Sequence, residues 1–102
     1  MILLINPFTV FDGQTDRFLA LWDQTNAIFR ASDGFISARL CSALSEQAPG
    51  QRAPYTHINV AEWQSRDSYA TALRHPDLKR LGGQYMKVCT FNPALYDILR
   101  DT

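Results

Sequence analysis

The sequence predicts an α+β domain in which one antiparallel sheet carries its helices on a single face, in the βαββαβ order of a ferredoxin-like fold. Three observations lead there. Apolar residues recur at helical spacing in some stretches and alternate with polar ones in others, and Gly- or Pro-containing turns separate the two kinds. At 102 residues the chain makes one domain, residues 1–102, large enough for a core and small enough to gain from a partner subunit.

The first strand is "MILLINPF", with Ile2, Leu4, Asn6 and Phe8 on one face, and "VFDGQ" supplies the turn after it. From residue 15 to about residue 32, Phe18, Leu21, Trp22, Ile28 and Phe29 return at helical spacing, and Gly34 marks the stop. "FISARLCSAL" is the second strand, with Ile36, Ala38 and Leu40 alternating against Ser37, Arg39 and Cys41. Pro49, Gly50 and Pro54 make the next segment a loop, and "YTHINVAEW" is the third strand. Ser65 is placed to cap a second helix, which Pro76 interrupts and which resumes as a short turn over "DLKRL" until Gly82 and Gly83 end it. "YMKVCTF" is the fourth strand. "LYDILR" closes the chain and reads as either a strand or an irregular tail.

The third strand poses the sharpest question. His57, Asn59, Ala61 and Trp63 share one face of "HINVAEW", and Ile58 and Val60 share the other. Helices cover only one side of such a sheet, and Ile58 and Val60 are too apolar to be left in water. A homodimer burying two sheets face to face resolves this. His57, Asn59 and Trp63 then look toward the helices of their own subunit.

Composition narrows the partners. Ten Lys and Arg balance ten Asp and Glu, and no basic stripe is visible, which argues against a nucleic-acid binder. No stretch is long enough to span a membrane, and the apolar start lacks the basic leader and cleavage site of a signal peptide. Cys41 and Cys89 fit no zinc or CxxC spacing and read as free buried thiols, so a cytoplasmic protein is expected. No GxGxxG motif, P-loop or cluster of metal ligands is present, which is compatible with chemistry that uses no cofactor.

With "DGFISARL", "NVAEWQSRDSYATAL" and "PALYDILR" in place, the chain resembles the antibiotic biosynthesis monooxygenase family of small dimeric α+β barrels. The most specific piece is the Trp that ends a strand followed by the Ser that starts a helix. One branch with a similar site, N-x-A-x-W-x-S-x-x-x-Y, comprises cofactor-free enzymes of aromatic polyketide biosynthesis. They oxidise a phenolic or anthrone-like ring to a quinone with molecular oxygen. The resemblance implies catalytic roles for Asn59, Trp63 and Tyr69, and offers Arg80 as counterpart of an arginine those relatives use. Another branch degrades haem with an Asn, a Trp and a His. Asn6 matches the first, but Ala72 and Gly82 stand where the other two belong, which counts against haem degradation.

The implied chemistry suits the residue types. An electron-rich phenolate can itself hand an electron to oxygen, so the protein must position the ring, shield it and stabilise the oxyanion with hydrogen-bond donors. The Asn59 amide and the Trp63 indole N–H are such donors, Tyr69 can relay a proton, and His57 can act as base if it reaches the pocket. Asn6, His57, Trp22 and Arg80 are candidate substrate contacts, with Trp22 either core stripe or pocket wall. Plainer roles stand beside these: Trp63 as a core anchor, Tyr69 as ring packing, His57 at the rim, Asn6–Pro7 as an edge or bulge, His75 as a helix cap. The competing function is a non-catalytic small-molecule-binding or assembly protein of the same fold.

Overall fold

The computed structural model describes residues Met1–Thr102. Eight elements follow in order: β1 (Ile2–Val10), α1 (Thr15–Arg30), β2 (Phe35–Ser42), β3 (His57–Trp63), α2 (Arg66–Ala72), α3 (Pro76–Tyr85), β4 (Cys89–Phe91) and β5 (Ala94–Asp97). The strands pair antiparallel in the order β2-β3-β1-β4, with β5 also on β1, which is the expected α+β ferredoxin-like architecture. No helix is long and apolar enough to cross a membrane.

The inner face of the sheet is set by alternation along β1 and β3. Leu4, Phe8 and Val10 are buried on the first and Asn59, Ala61 and Trp63 on the second. The apolar core divides into two clusters: Phe18, Leu21, Leu81, Tyr85 and Val88 gather around Phe8, whereas Ala72 and Trp63 gather around Leu4. The outer face carries Leu3, Ile5, Ile58 and Val60, half-buried by their neighbours alone, with Ile5 paired to Val60. It is an apolar stripe without a cover.

Several elements depart from the sequence expectation, each for a local reason. A bulge between Phe35 and Ser37 puts Phe35, not Ile36, opposite Trp63, so Ile36 turns outward and is 43% exposed. Helix α3 runs straight through Gly82 and Gly83 to Tyr85, because flanking helix turns and packing of Leu81 and Tyr85 on Phe18 outweigh the low helix propensity of glycine. The fourth strand is therefore only Cys89–Phe91, and the tail forms a true strand on β1. Cys41 is exposed on the outer face, whereas Cys89 is buried as expected, and both are free thiols.

Pro7 is neither on an edge nor in a bulge. The Phe8 carbonyl accepts from Thr56 on the β3 side, so the missing N–H of Pro7 points the other way. There β1 passes between its β5 partners at 2–5 and its β4 partners at 8–10, and no ladder bond is lost. The gap is bridged by Asn6, whose Oδ1 accepts the Asn92 N–H at 3.1 Å.

Candidate active site

A cavity of about 160 Å³, open at its mouth, lies between the sheet and the three helices. That is smaller than the roughly 300–1,000 Å³ of a pocket enclosing a drug-sized ligand, so a ring held there projects into the open mouth. Its floor is a cross-strand pair of amides, Asn6 on β1 opposite Asn59 on β3. Helix α1 contributes Trp22, Thr25, Asn26 and Phe29, which share one face at spacings of three and four. Tyr69 and Leu73 close one side, and Leu81, Gly82 and Tyr85 of α3 the other. A Cβ added at Gly82 would meet no atom within 4 Å, so the glycine leaves room there.

None of the lining side chains is an Asp, Glu, His, Lys or Arg. The polar groups are amides and hydroxyls, and both lining tyrosines hold their protons tightly. Burial pushes the Tyr69 hydroxyl above its usual range and that of Tyr85 up to about 12. At neutral pH the site therefore offers hydrogen bonds and proton donors but no charge.

Asn59 is 9% exposed, and its Oδ1 finds no hydrogen-bond partner in the protein. Asn6 differs, because its Oδ1 is occupied by Asn92 and its NH₂ group is the end left for a ligand. A buried unpaired amide oxygen costs about 1–3 kcal/mol, which is hard to maintain in a core and easy to understand in a binding site.

Trp63 is wholly buried and does not line the cavity. Its ring stands edge-on to Phe29, Phe35 and Tyr69, with centroids 5.5, 5.4 and 5.5 Å away, and Phe29, Phe35 and Tyr69 do line it. Four residues along a strand separate Asn59 and Trp63 by about 13 Å at their Cα atoms, so a single oxygen is not between them by default. The indole N–H is nonetheless buried without a partner. Behind Tyr69, the Ser65–Ser68 capping box opens α2, and Gly34 packs its bare Cα against Ser68 with φ +87°. A side chain there would collide with Ser68 and shift the turn that carries Tyr69.

The structure does not bring His57 or Arg80 to the cavity. Arg80 is exposed on the outer side of α3, because Leu81 and Leu78 take its inward positions. His57 packs on Phe18 with ring centroids 5.1 Å apart. Thr56 Oγ1 donates to the Phe8 carbonyl at 3.2 Å, so it must accept from His57 Nδ1 at 2.9 Å, which fixes the tautomer. Burial also lowers the pKa of His57, so it serves as a neutral rim staple. His75 does cap a helix, but as N-cap of α3, accepting the Asp77 N–H at its Nδ1.

Residues 1–82 match the family model for antibiotic biosynthesis monooxygenase. The chain belongs to the antibiotic biosynthesis monooxygenase family. Family membership supports monooxygenase chemistry in general terms. Among solved structures, this family member is similar to SnoaB, a cofactor-independent oxygenase from Streptomyces nogalater, with 23% identity, a TM-score of 0.81, and 99% and 94% of the two chains covered. A candidate monooxygenase from Shewanella loihica PV-4 is 27% identical, with a TM-score of 0.74 over 98% of this chain and 95% of that one. Rv0793 from Mycobacterium tuberculosis is 18% identical, with a TM-score of 0.76 over 98% and 96%. At these identities the likeness to SnoaB and Rv0793 shows the fold alone. No match was found among curated protein sequences.

Thr25, Asn26 and Tyr85 were not anticipated as pocket residues. The first two were legible as polar interruptions of the apolar stripe of α1. Tyr85 was hidden by the two glycines that suggested an early end to α3.

Proposed function

We propose that this protein is a cofactor-independent monooxygenase that oxidises a planar phenolic, anthrone- or quinol-like ring to a quinone with molecular oxygen. The observation that carries the reading is the unpaired, buried amide oxygen of Asn59 on the floor of an uncharged, aromatic-walled cavity. Membership of the family supports the reaction class.

In this reading the ring lies between Trp22 and Phe29 on one side and the sheet on the other. Asn59 Oδ1 accepts from a ring hydroxyl, and the Asn6 NH₂ group donates to the ring oxygen that ionises. The cavity holds no base, so the substrate's own acidity drives loss of the phenolic proton to water at the mouth, and the Asn6 NH₂ group steadies the anion. The phenolate gives one electron to oxygen, and the radical pair collapses to a C–O bond. The O–O bond then breaks: one oxygen atom becomes the new carbonyl and the other leaves as water. Tyr69, held protonated by burial, donates one proton to the departing oxygen and recovers the proton that the ring carbon loses, and the second proton of the water returns from solvent at the mouth. Trp63 positions Tyr69, Phe29 and Phe35 by packing against them.

The uncovered stripe of Leu3, Ile5, Ile58 and Val60 is assigned to a second copy of the chain, giving a homodimer. Two unpaired thiols fit a reducing, cytoplasmic setting.

Oxygen uptake by metal- and flavin-free protein supplied with an anthrone tests the reaction. Asn59→Ala is expected to lower kcat/KM at least tenfold, and Trp63→Phe to change it only through the geometry of Tyr69. A normally folded Asn59→Ala with unchanged turnover overturns the assignment. Absence of uptake with ligand still bound would favour the binding-protein alternative.

A further inference from the structure

We propose that Tyr85 and Thr25 form a fixed hydrogen-bond relay that makes the cavity select the hydroxyl-bearing, reduced form of an aromatic ligand over its quinone. The inference deepens the phenol-oxidising reading and rests on it for the class of ligand. It stands on the direction of two hydrogen bonds.

Thr25 lies on α1 and donates its hydroxyl hydrogen to the Leu21 carbonyl at 2.8 Å. A threonine hydroxyl has one hydrogen to give. The contact between Thr25 Oγ1 and the Tyr85 hydroxyl, also 2.8 Å, must then run from Tyr85 to Thr25. The proton of Tyr85 is thereby committed to Thr25, and what its oxygen offers a ligand in the cavity that both residues line is a lone pair. Stacking of Tyr85 on Phe8, with centroids 6.2 Å apart, and its edge contact with Phe18 hold the ring in place, so the oxygen cannot readily move. The hydroxyl stays protonated across the working pH range because burial disfavours its anion.

A fixed acceptor recognises an O–H. The reduced ring carries one, and the quinone presents only carbonyl oxygens, so two lone pairs face each other once the reaction is over. This weakens the hold on product at the moment it forms. Tyr85 is thus a specificity-determining residue, and Thr25 acts through it as a positioning residue.

Calorimetric titration without oxygen, using 2,3-dimethyl-1,4-naphthohydroquinone and the corresponding quinone, tests this without any turnover. The ring methyl groups keep the quinone from alkylating Cys41. The wild type is expected to bind the hydroquinone about five- to tenfold more tightly, the worth of one neutral hydrogen bond. Tyr85→Phe should abolish that preference. Thr25→Val frees the tyrosine hydrogen to turn inward and should bring the ratio to one or invert it, whereas Thr25→Ser should preserve it. A Thr25→Val protein with the wild-type ratio, or a Thr25→Ser protein without it, overturns the relay. If the ratio fails while Asn59-dependent oxygen uptake persists, only the relay falls. If neither ring binds, the cavity reading falls and takes the relay with it.

Discussion

Replacing Asn59 by leucine should make the protein more stable and functionally impaired. Leucine has nearly the shape of asparagine, and the site is 9% exposed on an inner strand face, between Asn6 of β1 and Leu40 of β2. The substitution removes a buried oxygen that has no partner, relieving about 1–3 kcal/mol. It also removes a residue with poor strand propensity and buries two methyl groups beside existing apolar surface. The central expectation is a gain of about 2 kcal/mol, which for a domain of this size raises Tm by roughly 8–16 °C. Thermal melts by circular dichroism, paired with binding of an aromatic ligand, measure both sides of the exchange. Binding should weaken at least tenfold as the protein gains stability. A Tm that falls, or one that rises with binding untouched, refutes the argument that this amide is kept for a ligand.

Val60→Asp puts a charge in the centre of the outer apolar stripe and should weaken self-association by about 100-fold or more, read by sedimentation; a wild type that is monomeric at micromolar concentration would remove the basis for this. Tyr85 binds its proton more tightly folded than unfolded, moving from 10.0 to about 12 mainly by burial. Its stabilising share, roughly 3 kcal/mol, is therefore whole below pH 10 and lost as pH rises through about 12. Urea midpoints near pH 9 and near pH 11.5 should differ more in the wild type than in Tyr85→Phe, where buried Cys89 and Tyr69 leave a smaller difference. Arg80→Ala should leave turnover and, within about 0.5 kcal/mol, stability unchanged, since the side chain is exposed and away from the cavity.

Much of this was written in the order of the residues. Alternation along "HINVAEW" correctly separated a helix-facing side from an outward one, because strand geometry leaves no other choice. The Ser65 cap was legible for the same kind of reason: its hydroxyl satisfies the Ser68 N–H at 3.1 Å, a purely local bond. What escaped depended on tertiary packing. The bulge at Ile36 is an inserted residue that no periodicity announces, and it brings Phe35 to the wall in its place. The continuation of α3 past Gly82 and Gly83 is decided by Leu81 and Tyr85 finding Phe18 and Phe8. The same continuation puts Tyr85 beside Thr25, sixty positions away in sequence. Asn59 could be singled out from its strand alone, but its pairing with Asn6 required the register of β1 on β3. His57, on the same side of β3 as Asn59, ended at the rim because Thr56 ties its Nδ1 to the end of the strand.

The proposed reaction places one atom of molecular oxygen on an aromatic ring without a cofactor. Mass spectrometry of the quinone formed from an anthrone under ¹⁸O₂ by metal- and flavin-free protein tests it most directly. One labelled oxygen per quinone, at a rate that collapses in Asn59→Leu, is the predicted result. A quinone that carries only unlabelled oxygen, or labels no faster than in the absence of protein, would contradict it.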